Sequence, residues 1–310
     1  MMKDLKKYDI PITRVKMGDA EIEAVSRVIR SGWIVQGKEV ATFERKVANL
    51  CQVEHAVAVS SCSTGLHAAV KALGVGPGDE VIVPGFTWVS TANAVVHCGA
   101  TPVFADIELD SLNLSLHKVE SLITEKTKGI IIVHLFGLMV DVEAFGKLSD
   151  QHNLWLLEDA ACALGSHYAG HAPGVHSDAA VFSFHPRKSI TTGEGGMIVT
   201  NNTHLAERLK ALRNHGAQLS DHHRHGSRGA FLLSSFPEIG FNFRMTDLQA
   251  AIGNVQMDKF PDMLIQREQL AARYDQLIRE KLPWLRVPQR AKGRHSYQSC
   301  LLYTSDAADD

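Results

Sequence analysis

Along most of the chain, short runs of β-branched and aliphatic residues alternate with longer amphipathic stretches. His55–Ser60, Glu80–Pro84, Pro102–Asp106, Gly129–His134, Leu154–Asp159, Ala179–Phe184 and Gly196–Thr200 read as strands. The spacing of apolar positions between them predicts helices over Gly65–Leu73, Val89–His97, Val119–Thr124, Val142–His152 and His204–Asn214. Two further helices are predicted over Met245–Phe260 and Leu264–Leu282. Strand–helix alternation of this kind predicts an α/β domain on a mainly parallel sheet. Ile130–Val133 lacks polar alternation, which fits a sheet covered on both faces. Ligands of such sheets bind beyond the carboxyl ends of the strands, so the residues that follow each strand carry the functional information.

Composition then excludes several classes of function. The 310 residues suit one large domain with part of a second. Hydrophobic residues make up 45% and charged residues 21%, the balance of a soluble globular protein. A formal charge of −2 with no basic block points away from nucleic acid. No apolar run approaches the roughly 20 residues of a membrane helix, and Met1–Asp9 lacks the apolar core of a secretion signal. Cys51, Cys62, Cys98, Cys162 and Cys300 are scattered and form no C-x-x-C pair. That argues against a disulfide framework or zinc site and for a reducing, cytoplasmic setting. Gly216–Ser235 reads as a polar loop, and its His222-His223-Arg224-His225 cluster as solvated rather than metal-binding; no metal is expected.

The chemistry sits at the strand ends. Ser60-Ser-Cys-Ser-Thr-Gly65 leads into a helix, where small hydroxylated residues and backbone N–H groups suit a phosphate. Val83-Pro-Gly-Phe-Thr-Trp88 ends in an aromatic able to stack on a planar ring. Glu158 and Asp159 close an apolar strand, and a buried acid there needs a partner such as a pyridinium nitrogen. Val181–Met197 runs from a strand through Ser183 and Lys188 into a Gly-rich turn; a lysine in such a setting can serve as a nucleophile. Each feature alone has an ordinary reading: helix capping for Ser63, Thr64 and Asp159, core packing for Trp88, solvent exposure for Lys188. Their order along one sheet does not.

From Pro11 to Gln298 the sequence resembles fold-type I pyridoxal-phosphate (PLP) enzymes, and more narrowly the DegT/StrS-type sugar aminotransferases. The resemblance is carried by Ser31-Gly-Trp-Ile-Val-Gln-Gly37, Val81–Trp88, Glu158-Asp-Ala-Ala161, Phe182–Lys188, Gly193-Glu-Gly-Gly196 and Gly240–Gln249. Within the family the chain is similar to the branch that makes 4-amino-4-deoxyarabinose for lipid A. The resemblance implies PLP held covalently by Lys188, with Asp159 on the ring nitrogen and Trp88 against the ring. It implies Ser63, Thr64 and Ser183 on the phosphate, and Asn242 reaching the phosphate of a neighbouring subunit, hence a homodimer with shared sites. It further implies transfer of an amino group from an amino acid, glutamate, to a nucleotide-linked keto-sugar. Cys162 departs from the family's usual Gln or His beside the cofactor's phenolic oxygen, and a thiol is a weak donor. Two alternatives stand beside this reading. One is a PLP-dependent sugar dehydratase, whose relatives carry His in place of the lysine. The other is a non-catalytic PLP-fold regulator or inactive fragment.

The chain divides by sequence into a large PLP-binding α/β domain with an N-terminal arm, 1–245, and the start of a small, truncated C-terminal α/β domain, 246–299. Residues 300–310 back-translate to a transposon-type sequencing adapter and are read as an artefact, with a natural polar tail as the alternative.

Overall fold

Seven strands join in one sheet, in the order β1 (His55–Val59), β8 (Gly196–Thr200), β7 (Ala179–Ser183), β5 (Trp155–Asp159), β4 (Thr127–Val133), β2 (Glu80–Pro84), β3 (Thr101–Ala105). β8 alone is reversed, running antiparallel to both β1 and β7. The remaining neighbours pair in parallel, so β1, β2, β5 and β7 deliver their carboxyl ends to one edge. This is the mainly parallel α/β sheet that the alternating pattern predicts. The structure is a computed structural model and describes residue 11 and residues 13–217, 235–288 and 292–304. Most of the Gly216–Ser235 loop with its histidine cluster, the Met1–Asp9 arm and residues 305–310 lie outside the described residues.

Both faces of the sheet are covered, as the unbroken apolar strands require. Successive residues of β4 go to opposite sides: Ile131 joins one core cluster, while Ile130 and Ile132 join another. All three are fully buried, each contributing about 1.5–3 kcal/mol over an exposed position. One face carries α3 (Cys62–Ala72), α4 (Ser90–His97) and α7 (Thr203–Leu212). The other carries α2 (Lys38–Cys51) and the first half of α8 (Asp247–Lys281), with α6 (Val142–His152) beside β4 and β5. α5 (Leu116–Glu120) begins three residues before the predicted Val119–Thr124 helix and ends four residues before its predicted end. α1 (Asp19–Ser31) turns only Glu21, Ala24 and Val28 inward and leaves Ile22 and Ile29 in water, so its largest apolar side chains give no sign of its packing.

The two helices predicted around Pro261 are one helix, α8. Proline removes one backbone donor and normally breaks or kinks a helix. Here Pro261 lies on the exposed side, while Met257, Phe260 and Leu264 on either side of it enter the same core as Phe43 and Phe182. Shared burial overrides the local break. Beyond α8, Leu285–Arg286 pairs antiparallel with Tyr303–Thr304, and Gly293–Arg294 with His167–Tyr168.

Two motifs far apart in sequence are joined at the start of α2. Asp247 accepts the N–H groups of Gly37 (2.8 Å) and Val40 (3.0 Å) and so caps a helix from 210 and 207 residues away. In return, the Asp247 N–H donates to the Val35 carbonyl (3.2 Å). A Cβ on Gly37 would lie 2.5 Å from Trp33 Nε1 and 2.6 Å from Asp247 Oδ2, so only glycine allows this approach. Asp247→Ala should therefore cost roughly 2–4 kcal/mol, from two stranded donors and a lost cap. Urea denaturation of the variant beside the parent chain measures it.

Candidate functional site

The site forms where the carboxyl ends of β1, β2, β5 and β7 meet. β1 runs into α3 through Ser61, whose side chain accepts the Thr64 N–H (3.1 Å), while Thr64 Oγ1 accepts the Ser61 N–H (3.0 Å) and donates to the Ser61 carbonyl (2.8 Å). The loop expected before the helix is thus its first turn. Thr64 spends its hydroxyl on the cap, whereas Ser63 is exposed at the helix N-terminus. Glycine brings this turn onto the sheet: a Cβ on Gly196 would sit 2.6 Å from the Ser61 backbone, and one on Gly65 2.7 Å from Val181 Cγ1. β2 leads to Trp88, which is 76% exposed, an unusual position for a tryptophan with no ligand to cover it.

β5 supplies two neighbouring acids with opposite fates, because successive strand residues face opposite sides. Glu158 is fully buried and saturated: it accepts from His134 Nε2 (2.5 Å), Ser177 Oγ (2.5 Å) and the Gly174 N–H (2.7 Å). The Val140 N–H points at His134 Nδ1 (3.4 Å), so Nε2 carries the hydrogen that Glu158 accepts. Asp159 is also buried, 4% exposed, but accepts only from Thr91 Oγ1 (2.7 Å) and the Ala161 N–H (3.2 Å). The Thr91 hydroxyl is in turn supported by Thr87 (2.9 Å). Asp159 has no ion-pair partner among the described residues. Burial pushes its carboxyl above the usual range; the Thr91 and Ala161 hydrogen bonds and the charge of Lys188 offset this only in part.

β7 ends at Ser183, whose hydroxyl oxygen accepts the His185 N–H (3.4 Å). The following loop is pinned by Thr191 Oγ1 and the Thr192 N–H on the Phe184 carbonyl (2.8 and 3.0 Å) and by the Lys188 N–H on the His185 carbonyl (2.8 Å). Lys188 is half-buried, and its Nζ donates to Cys162 Sγ at 3.1 Å. The thiol that departs from the family pattern therefore lies directly on the lysine. The Cys62 thiol belongs to the same cluster: burial, then the charge of Asp159, push it well above the ordinary thiol range. Asn242 is exposed and bridged to Asn214, on a segment whose next residue, Phe243, accepts the Ser60 N–H with its carbonyl (2.8 Å).

The PLP that the resemblance implies fits these residues. Asp159 is a buried carboxylate short of a cationic donor, which a protonated ring nitrogen would supply. Ser63 stands at a helix N-terminus, the natural place for a phosphate. Ser189 Oγ, beside Lys188, is buried with no hydrogen-bond partner. Sequence reasoning missed Thr91 and Thr87, although Thr91 stands one helical turn beyond Trp88. It also missed the segment that rims the site: Ser296 Oγ donates to the Cys162 carbonyl (2.9 Å), and Gln298 Nε2 to the Arg187 carbonyl (2.6 Å). No local pattern announces either contact.

Comparison with known proteins shows the family and the fold. The family described as the DegT/DnrJ/EryC1/StrS aminotransferase family matches residues 15–309. The chain is 38% identical over 306 residues to the spore coat polysaccharide biosynthesis protein SpsC of Bacillus subtilis (strain 168), a match covering 98% of this chain and 78% of that protein. It is 40% identical over 278 residues to the GDP-perosamine synthase of Caulobacter vibrioides, covering 89% and 71%. A solved structure, Spr1654 of Streptococcus pneumoniae in its PLP form, aligns with a TM-score of 0.88 at 29% identity, covering 96% of this chain and 79% of that one.

The raised carboxyl of Asp159 has a consequence for stability. An acid whose pKa is higher in the folded than in the unfolded chain costs stability above the ordinary carboxylate range and nothing below it. In cofactor-free protein, Asp159→Asn removes that cost, and the Thr91 hydroxyl can reverse to accept from the amide. The variant should have the higher urea midpoint at pH 7. The difference should shrink as the pH falls through the raised carboxyl range and be gone only well below about 4, where Asp159 is protonated in the folded and unfolded chain alike.

Proposed function

The chain belongs to the DegT/DnrJ/EryC1/StrS aminotransferase family, and from that premise we propose the roles of its site residues, its amino donor and its assembly. It is a PLP-dependent aminotransferase that places an amino group on a nucleotide-linked keto-sugar in amino-sugar synthesis. The observation that supports the assignment of roles is the convergence of Lys188, the under-paired Asp159, the α3 N-terminus and exposed Trp88 on one sheet edge.

PLP supplies an electron-accepting ring on which an amino group can be exchanged. Lys188 would hold it covalently, and its Nζ would move the proton at the donor's α-carbon. Asp159 keeps the ring nitrogen protonated, and Thr91, braced by Thr87, holds the carboxylate in place. Ser63, the first turn of α3 and Ser183 bind the phosphate; Thr64 contributes by holding that turn in shape. Trp88 would cover one face of the ring. Cys162 holds the Lys188 amine. A lysine at position 188, where dehydratase relatives carry histidine, favours transamination. Glutamate is the proposed donor.

The proposed assembly is a homodimer in which Asn242 reaches the partner's phosphate. Asn242 is exposed, and large apolar side chains stand in water at Phe86, Trp88, Val89, Phe236 and Ile239; surfaces of that kind favour a protein partner. The division into a large domain, 1–245, and the start of a small one, 246–299, is kept as a proposal, with α8 beginning in the core of the first. No helix among the described residues is long and apolar enough to cross a membrane; a cytoplasmic setting is proposed from the cysteine pattern.

Borohydride treatment of the PLP-loaded chain should fix the cofactor to Lys188, and ¹⁵N-glutamate should label the amino-sugar nucleotide formed from a panel of keto-sugar nucleotides. An adduct on a different lysine would overturn the assignment. For the dimer, Lys188→Ala and Asn242→Ala chains, each inactive alone, should recover activity on mixing, because one intact site forms per heterodimer. Subunit exchange followed by mass spectrometry without recovered activity would show that each chain builds its own site.

A further inference from the structure

The contact between Lys188 and Cys162 has no counterpart elsewhere in the site. Lys188 Nζ lies 3.1 Å from Cys162 Sγ, and both side chains are half-buried and so reachable from solvent. Neither backbone is free to carry its side chain away. The Cys162 carbonyl is tied to Ser296 Oγ, the Ala163 N–H to the Ala160 carbonyl (2.9 Å), and the Lys188 N–H to the His185 carbonyl. An amine and a thiol are thus held at hydrogen-bond distance by two independently braced segments.

We propose that Cys162 and Lys188 form an oxidative modification site, at which peroxide joins the sulfur and the lysine nitrogen by a covalent S–N bond. The proposal concerns the chain without cofactor and does not rest on the reaction assigned above. The reacting form of Cys162 is the thiolate, its proton released to solvent and its charge met by the Lys188 ammonium that donates to Sγ; the thiolate is the form that attacks peroxide. The thiolate sulfur displaces hydroxide from hydrogen peroxide and becomes a sulfenic acid; sulfur is oxidised by two electrons and the peroxide O–O bond is reduced. The hydroxide removes the proton from the neighbouring ammonium and leaves as water. The neutral amine then attacks the sulfenic sulfur, the S–O bond breaks, and a second water departs. Two thiols reverse the change by reducing the S–N bond to thiol and amine while forming their own disulfide.

The competing partner for an oxidised Cys162 is Cys62 in the same cluster. Burial and the charge of Asp159 keep the Cys62 thiol protonated, and Cys62 Sγ faces the Val181 carbonyl at 3.9 Å. A protonated thiol is a poor nucleophile, whereas the lysine amine is already in contact. While the link exists, Lys188 cannot bond to a carbonyl cofactor, so oxidised chain would be held out of the loaded pool until reduced.

The test is peptide mapping of the full 310-residue chain, freed of cofactor with hydroxylamine and treated with hydrogen peroxide. The expected product is a joined pair of peptides containing Cys162 and Lys188, about 2 Da lighter than their sum, lost on treatment with dithiothreitol. It should be absent from Cys162→Ser and from Lys188→Arg, and the Lys188→Arg chain should instead accumulate Cys162 sulfinic acid. Two results would overturn the proposal. One is a Cys62–Cys162 disulfide of equal yield in the parent and Lys188→Arg chains. The other is oxidation of Cys162 to the sulfinic acid in the parent while the Lys188 peptide stays unlinked.

Discussion

A carboxylate buried without a full set of partners is costly, and the site is arranged around one. β5 carries two acids into the interior at consecutive positions. The strand's alternation sends Glu158 to a face where a histidine, a serine and a backbone N–H saturate it. Asp159 goes to the opposite face and receives only a threonine hydroxyl and one N–H. The first acid ties β4, β5 and the Gly174–Ser177 turn together. The second retains an unmet demand for a positively charged donor. A binding site for a pyridinium ring needs such a demand, and folding alone would not select for it.

The rest of the edge is made precise by glycines and long-range hydrogen bonds. Gly65 and Gly196 let the first turn of α3 rest on the sheet with no side chain between them. Asp247 caps α2 from the start of α8, so the Ser31–Gly37 and Gly240–Gln249 segments hold each other in place. Ser296 and Gln298 then brace the turn that bears Cys162 and the loop that bears Lys188. The lysine and its neighbours are positioned by elements drawn from nearly the whole chain, so substitutions distant in sequence can disturb the same few ångströms.

Cys162 shows how a single position can change the chemistry of a shared framework. Where the resemblance implies a hydrogen-bonding amide or imidazole the chain carries sulfur, which contacts the lysine amine directly. A thiol is the weaker donor, but it brings a reactivity towards oxidants that amides and imidazoles lack.

Much of this was legible from the residues alone. The seven strands follow from runs of β-branched residues, and the parallel sheet from their alternation with helices; both signals are local, set by side-chain period and backbone preference. Asp159, Ser183 and Lys188 stand out as candidates because a parallel sheet makes strand ends the place for ligands. The single helix across Pro261 was not legible, because the core on either side outweighs the local break. The capping use of Thr64, the Thr87–Thr91–Asp159 relay, the difference between Glu158 and Asp159, and the Cys162–Lys188 contact were not legible either. Each depends on which groups distant in sequence come within about 3 Å and how much water their burial removes, and only the packed chain determines those two quantities.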